Sequence, residues 1–181
     1  MWNGFTKQGG IDEGSYLVGE WSEIVARAGG VNYQLGNCPE GVLEVSREYY
    51  MHEDTSLPKK VDHICPIRTG MKFSGVLEEI HRRNVSLLVG QTLANTDSYV
   101  YIGAMGTNYF YTLRGRRHRC SDNVAIEFCI WKCMTTSLFQ LGGGTEAQGS
   151  PFEATGIDDT DGDYGGDATN PLGYIWSPAP A

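Results

Sequence analysis

Residues 142–181 contain no lysine and no arginine, yet they hold Glu146, Glu153, Asp158, Asp159, Asp161, Asp163 and Asp167. These are seven of the 22 acidic side chains, which leaves 15 to face all 14 basic ones in residues 1–141. The net charge of −8 is therefore a property of the C-terminal segment. An acidic chain has no electrostatic reason to grip a phosphate backbone, which excludes tight nucleic-acid binding. No stretch approaches the roughly 18 apolar residues of a membrane helix. The start, MWNGFTKQGG, has no apolar run, so no signal peptide is expected and the chain should stay where it is made. No two cysteines form a C-x-x-C pair, and the count of five (Cys38, Cys65, Cys120, Cys129, Cys133) is odd. Free, mostly buried thiols are expected rather than a disulfide framework. The sequence also lacks a G-x-S-x-G elbow, an H-E-x-x-H helix, a Walker loop and a dinucleotide fingerprint, so no enzyme class is indicated.

Glycine is abundant, at 24 of 181 residues, without a Gly-X-Y period. That composition points to many turns. In residues 1–36, Gly9–Gly10 and Gly29–Gly30 interrupt the pattern, and Tyr16, Leu17, Val18, Trp21, Ile24 and Val25 suit a short strand or a helical turn. Val42–Tyr50 alternates and is rich in strand formers. Met51–Gly70 is mixed in polarity and holds Pro58 and Pro66, which predicts a long loop. Met71–Phe73 reads as a short strand. Ser74 then caps a helix over 75–89, with Glu78 and Glu79 in its first turn and Gly90 as its stop. Ser98–Ile102, Tyr109–Leu113 and Val124–Cys133 have the period of strands, with Arg114–Arg119 (RGRRHR) as a turn between the last two. Strict alternation puts Cys129 and Cys133 on one face of the last strand. The fold class is mainly β: an antiparallel sandwich or barrel with one flanking helix, a long internal loop and extended terminal arms. The expected divisions are an N-terminal arm and first elements (1–36), the β domain (37–144) and an acidic C-terminal arm (145–181). Phe152, Tyr164, Leu172, Tyr174, Ile175 and Trp176 are available to anchor that last arm.

Few constellations suggest chemistry. Asp159, Asp161 and Asp163 have a D-x-D-x-D spacing that suits a calcium loop. Tyr164 stands where an EF-hand needs glycine, and Asn170 where it needs glutamate, so a solvated acidic loop competes with that reading. His52, His63 and Cys65 lie in the long loop with Asp62 nearby, the arrangement of a Cys–His nucleophile, though a chain of this size offers such a pair by chance. Arg114, Arg116, Arg117, His118 and Arg119 are the concentrated basic patch. They suit phosphate contacts, or pairing with acidic groups of this chain or a neighbouring copy. No cofactor is implied. A loop and arms longer than a core requires suit a protein that reaches for its neighbours, and contacts that close head to tail give rings.

The order of features from Val42 through Gly90 resembles tail tube proteins (major tail proteins) of tailed bacteriophages. A strand is followed by the charged, proline-bearing stretch HEDTSLPKKVDHICPIRTG. Then come Met71–Phe73, the Leu77–Ile80 run Leu-Glu-Glu-Ile, and Leu87–Gly90, Leu-Leu-Val-Gly. The closing segment TGIDDTDGDYGGDATNPLGYIW is similar in style. The resemblance implies hexameric rings stacked into a virion tail tube that assembles in the host cytoplasm and conducts the genome at ejection. It implies tape-measure, terminator and baseplate or tail-tip partners, a sheath protein in contractile tails, and DNA only in passage. It also implies that the loop (51–70) and the arms bridge rings, which makes Lys59, Lys60, Asp62 and Arg68 candidate contact residues; the basic segment RGRRHR is expected on the outside or in a subunit contact, which adds Arg114, Arg116 and Arg117. A tail terminator, a capsid decoration protein and a calcium-dependent binding module are the competing readings.

Overall fold

The computed structural model describes residues 21–53, 61–79, 81–90, 109–118, 125–137, 140 and 149–177. They form eight strands and one short helix: β1 (Trp21–Ala28), β2 (Val31–Cys38), β3 (Val42–Glu53), β4 (Val61–Leu77), α1 (Arg82–Leu88), β5 (Tyr111–His118), β6 (Ala125–Thr135), β7 (Ser150–Ile157) and β8 (Gly173–Trp176). The strands make one antiparallel sheet in the order β2-β1-β5-β6-β7-β4-β3. β8 lies off that path. It pairs with Glu127–Ile130 of β6, while β7 takes Lys132–Thr135 further along the same strand. The mainly β expectation holds.

Local chemistry sets the first hairpin. Ala28 and Val31 close the β1–β2 ladder around Gly29 and Gly30, whose φ angles of 56° and 80° are those a two-residue hairpin turn requires. The sheet then curls. Cys38 Sγ fills the space that a side chain at Gly75 would need, which brings the end of β2 onto β4. Inside the curl, Phe128 stacks on Phe73 at 5.0 Å between ring centroids and meets the edge of Trp21 at 4.9 Å. Phe152, Ile24, Leu113, Ile130 and Tyr111 complete a buried core. Gly115 makes room for it, because a Cβ there would stand 2.2 Å from the Phe128 ring.

Several expectations are corrected. The predicted helix over 75–89 forms only in its second half, as α1, while Gly75–Leu77 belong to β4. Met71, Phe73 and Leu77 are buried at a period of two, and β7 pairs with Lys72–Leu77, so the ladder outcompetes the helix. Ser74 sits in that ladder and caps nothing. The seven-residue α1 begins only at Arg82, after Glu78 and Glu79. Gly90 does end it, with φ 73° and its N–H donating to Leu87 O. Asn84 is buried in α1, and its Nδ2 donates to Leu35 O and Glu79 O, which ties the helix to β2.

Most of the predicted loop is strand as well: Met51–Glu53 end β3, and Val61–Gly70 belong to β4. Pro66 is tolerated because, among the described residues, that part of β4 pairs only with β3, so no ladder on its other side needs an N–H. Arg114–His118 belong to β5 rather than to a turn. Cys129 and Cys133 do not share a face. The β5–β6 register shifts between Tyr111 and Leu113, so Trp131 and Lys132 together stand opposite Thr112. That extra residue turns Cys133 into the core beside Ile130, while Cys129 faces Arg114 on the outer side.

The described parts of both terminal regions are also in the sheet. β1 lies between β2 and β5, and β7 lies between β6 and β4, so the divisions drawn at 36 and 144 cut through it. Among the predicted anchors, Phe152 is in the core, Leu172 packs on it, and Tyr174 meets Trp131 at 5.3 Å. Ile175 and Trp176 stay exposed. The predicted strand Ser98–Ile102 lies outside the described residues.

Candidate functional site

The β3–β4 hairpin is the longest element, with strands of 12 and 17 residues. β7 accompanies β4 only from Lys72 to Leu77. Beyond that point, Val61–Gly70 has β3 as its one partner among the described residues. At about 3.3 Å per residue, this two-stranded arm is roughly 30 Å long.

The register assigns the two faces of the arm. Leu43 stands opposite Phe73 and Val45 opposite Met71, so these odd positions of β3 lie on the core side. A register shift between Glu48 and Tyr49 leaves Ile67 without an opposite residue. Past it, Tyr49 faces Pro66 and Met51 faces Ile64. The core side therefore continues outward as a largely apolar stripe, interrupted by the exposed cross-strand pair Arg47–Thr69: Val45, Tyr49, Met51 and Ile64 are 49%, 46%, 57% and 54% exposed. The other face carries the cross-strand pairs Glu48–Arg68, Tyr50–Cys65 and His52–His63. There Cys65 Sγ lies 2.7 Å from His63 Nε2. The Cys–His proximity expected from spacing is thus present, on one strand of an exposed ribbon.

A second cluster occupies the outer face of β1, β5 and β6. Arg116 bridges Glu23 at 3.2 Å and Glu127 at 3.1 Å. The Tyr174 hydroxyl donates to Glu127 at 2.8 Å and brings β8 into the same network. Arg114 interacts with Cys129. Burial pushes the Cys129 thiol up to about 11 although Arg114 opposes it, so this thiol stays protonated and unreactive. Burial also raises Glu127, but its bonds from Tyr174 and Arg116 outweigh that and hold it below the ordinary carboxylate value.

A carboxyl held low in the fold contributes stability that is complete above its unfolded pKa and is lost as pH falls through the folded one. Glu153, bonded by Thr136 and Lys72, and Asp167, bonded by the Asn170 and Thr169 amides, are shifted the same way. Urea midpoints should therefore fall as pH drops below about 4.5. Glu127→Gln should flatten that fall in part and lower stability at pH 7. Identical pH slopes in variant and wild type would contradict this assignment.

The acidic loop is organised by one carboxylate. Asp159 is buried, and its Oδ2 accepts from the Tyr164 and Gly166 amides at 3.0 and 2.9 Å. Asp161 and Asp163 are exposed. Among the described residues, no three His, Cys, Asp or Glu side chains converge as a metal cage, so the D-x-D-x-D spacing does not translate into a ligand set. Asp159 turns Oδ2 to backbone amides, and Asp161 and Asp163 are exposed rather than gathered beside it.

Of the predicted contact residues, Arg68 is exposed on the arm and Asp62 lies in β4. Arg114 and Arg116 lie on the outer face of β5, and Arg117 stands opposite Ile126. Lys59 and Lys60 lie outside the described residues. Sequence reasoning missed Tyr49, Met51 and Ile64. Their signal was the alternation of Val42–Tyr50, which runs on past the point where the strand was expected to end. Comparison with protein-family models gave no match, and comparison with curated proteins gave none either.

Proposed function

We propose that this chain is a structural protein of the tail-tube kind, whose copies form hexameric rings that stack into a conduit for genome ejection. The observation that carries the reading is the apolar stripe on the core side of the projecting hairpin. Exposed apolar side chains gathered on one face of an arm suit an interaction site. A hairpin that docks on the next copy makes a heterologous contact, and such contacts close into rings. Among the described residues β2 and β3 end the sheet, and their outer edges offer backbone groups to further neighbours. The acidic loop suits a passage that DNA must traverse without being held. The role is structural rather than catalytic, in a virion tail assembled in the host cytoplasm. Tape-measure, terminator, baseplate or tail-tip and, in contractile tails, sheath proteins are its partners.

Negative-stain electron microscopy of the purified protein over a concentration series tests this. Rings and stacked tubes that lengthen with concentration are expected. Empty fields together with a monomer in analytical ultracentrifugation at every concentration would overturn it.

A further inference from the structure

We propose that the outer edge of β3 pairs with the β3 edge of a second copy, antiparallel and about a two-fold axis at Tyr50. β3 ends the sheet and, among the described residues, has β4 as its one strand partner. Its twelve residues, VLEVSREYYMHE, are exposed except for the half-buried Leu43. They include no proline and no lysine, the residues that commonly blunt an edge against strand addition. At about 3.3 Å per residue, an edge roughly 40 Å long is left open to a pairing strand.

The charges on the edge choose both partner and register. Two copies related by a two-fold axis normal to the sheet run antiparallel and keep their core sides on one face. With the axis at Ser46, Glu44 would stand opposite Glu48; at Arg47 or Glu48, that residue would stand opposite its own copy. Like charges directly opposed are destabilising. With the axis at Tyr50, Arg47 faces Glu53 and Glu48 faces His52, each twice, and no like charges are opposed. Tyr49 then faces Met51, and Tyr50 faces its own copy, so the central rungs are aromatic and apolar. His52 and Glu53 also interact within their own chain, and the register needs from them only that no like charge stands opposite. The pairing uses the strand edge and leaves the faces free. It sets Tyr49 and Met51 of both copies side by side, which widens the exposed stripe rather than covering it.

The test is sedimentation equilibrium of the full chain over a dilution series. Wild type should dimerise reversibly. Arg47→Glu opposes like charges at two symmetric rungs and should weaken the dimer by about tenfold or more. Arg47→Glu with Glu53→Arg restores opposite charges and should recover it. Cross-linking in a Cys65→Ser background reads the register, because Cys65 stands opposite Tyr50 in the same chain and would capture a thiol placed there. Tyr50→Cys should give an oxidised dimer on non-reducing gels. Ser46→Cys should not, since its two copies would lie eight rungs apart, roughly 26 Å. Circular dichroism should show every variant folded, because these positions lie outside the core. A monomer throughout the series, a dimer indifferent to Arg47→Glu, no recovery in the double variant, or no more cross-linking at position 50 than at 46 would each overturn the proposal. The cross-link needs no rings, so its failure is separable from failure of the assembly reading.

Discussion

Replacing Phe128 with alanine should lower the unfolding free energy by about 3–5 kcal/mol, the range for truncating a buried phenylalanine. Phe128 is fully buried and lies between Phe73 and Trp21. It also occupies the space left by Gly115 on the neighbouring strand. No adjacent backbone can close that gap cheaply, because β5 and β1 are locked by their ladders on either side. For a domain of this size, each kcal/mol shifts the melting temperature by about 2–4 °C, so the drop should be on the order of 10 °C. Against a total stability of about 5–15 kcal/mol, this is a large fraction. Urea unfolding of the two proteins checks it, and a loss under about 1 kcal/mol would mean that the aromatic cluster is not the centre of the core.

The second large effect concerns assembly. Met51→Lys with Ile64→Glu replaces the opposed pair at the centre of the exposed stripe. The new charges attract one another, so the arm itself stays paired. Both wild-type side chains are more than half exposed, at 57% and 54%, so the melting temperature of the isolated chain should be unchanged. An interface that covers this stripe would instead have to bury two charges. Apolar anchors at the centre of an interface are worth about 2–4 kcal/mol, so the concentration needed for assembly should rise roughly 30- to 1,000-fold. Light scattering against concentration measures this directly. Assembly at the wild-type threshold would remove the stripe from the interface and with it the main support for the proposed function.

The two predictions differ in what made their residues legible. Phe128 was readable because β6 alternates apolar and other residues, and an alternating run is what a half-buried strand requires. Met51 and Ile64 were hidden by Pro58 and Pro66, which argued for a loop. Proline excludes a strand only where a neighbour needs the missing N–H, and beside β4 at Pro66 there is no such neighbour among the described residues. The basic segment was misplaced for a related reason. Arg114 and Arg116 read as solvated turn residues, yet they line the outer face of β5, with Glu23 and Glu127 bonded to Arg116 and Tyr174 bonded to Glu127.

By itself the sequence determined the mainly β class, the turn at Gly29–Gly30, the stop at Gly90 and the charge segregation. Each of these depends on neighbours in sequence: the period of apolar residues, the freedom of glycine at positive φ, and the count of carboxylates. Only the tertiary structure decided that residues 75–77 are strand rather than helix, because the partner that makes the difference is β7, more than seventy residues away. It alone turned Cys133 inward through the register shift opposite Tyr111 and Leu113. It alone committed Asp159 to backbone amides, and it extended the core face along an arm that no other described residue pairs with. Each of those outcomes was settled by a long-range pairing, and local propensity is too weak to override one.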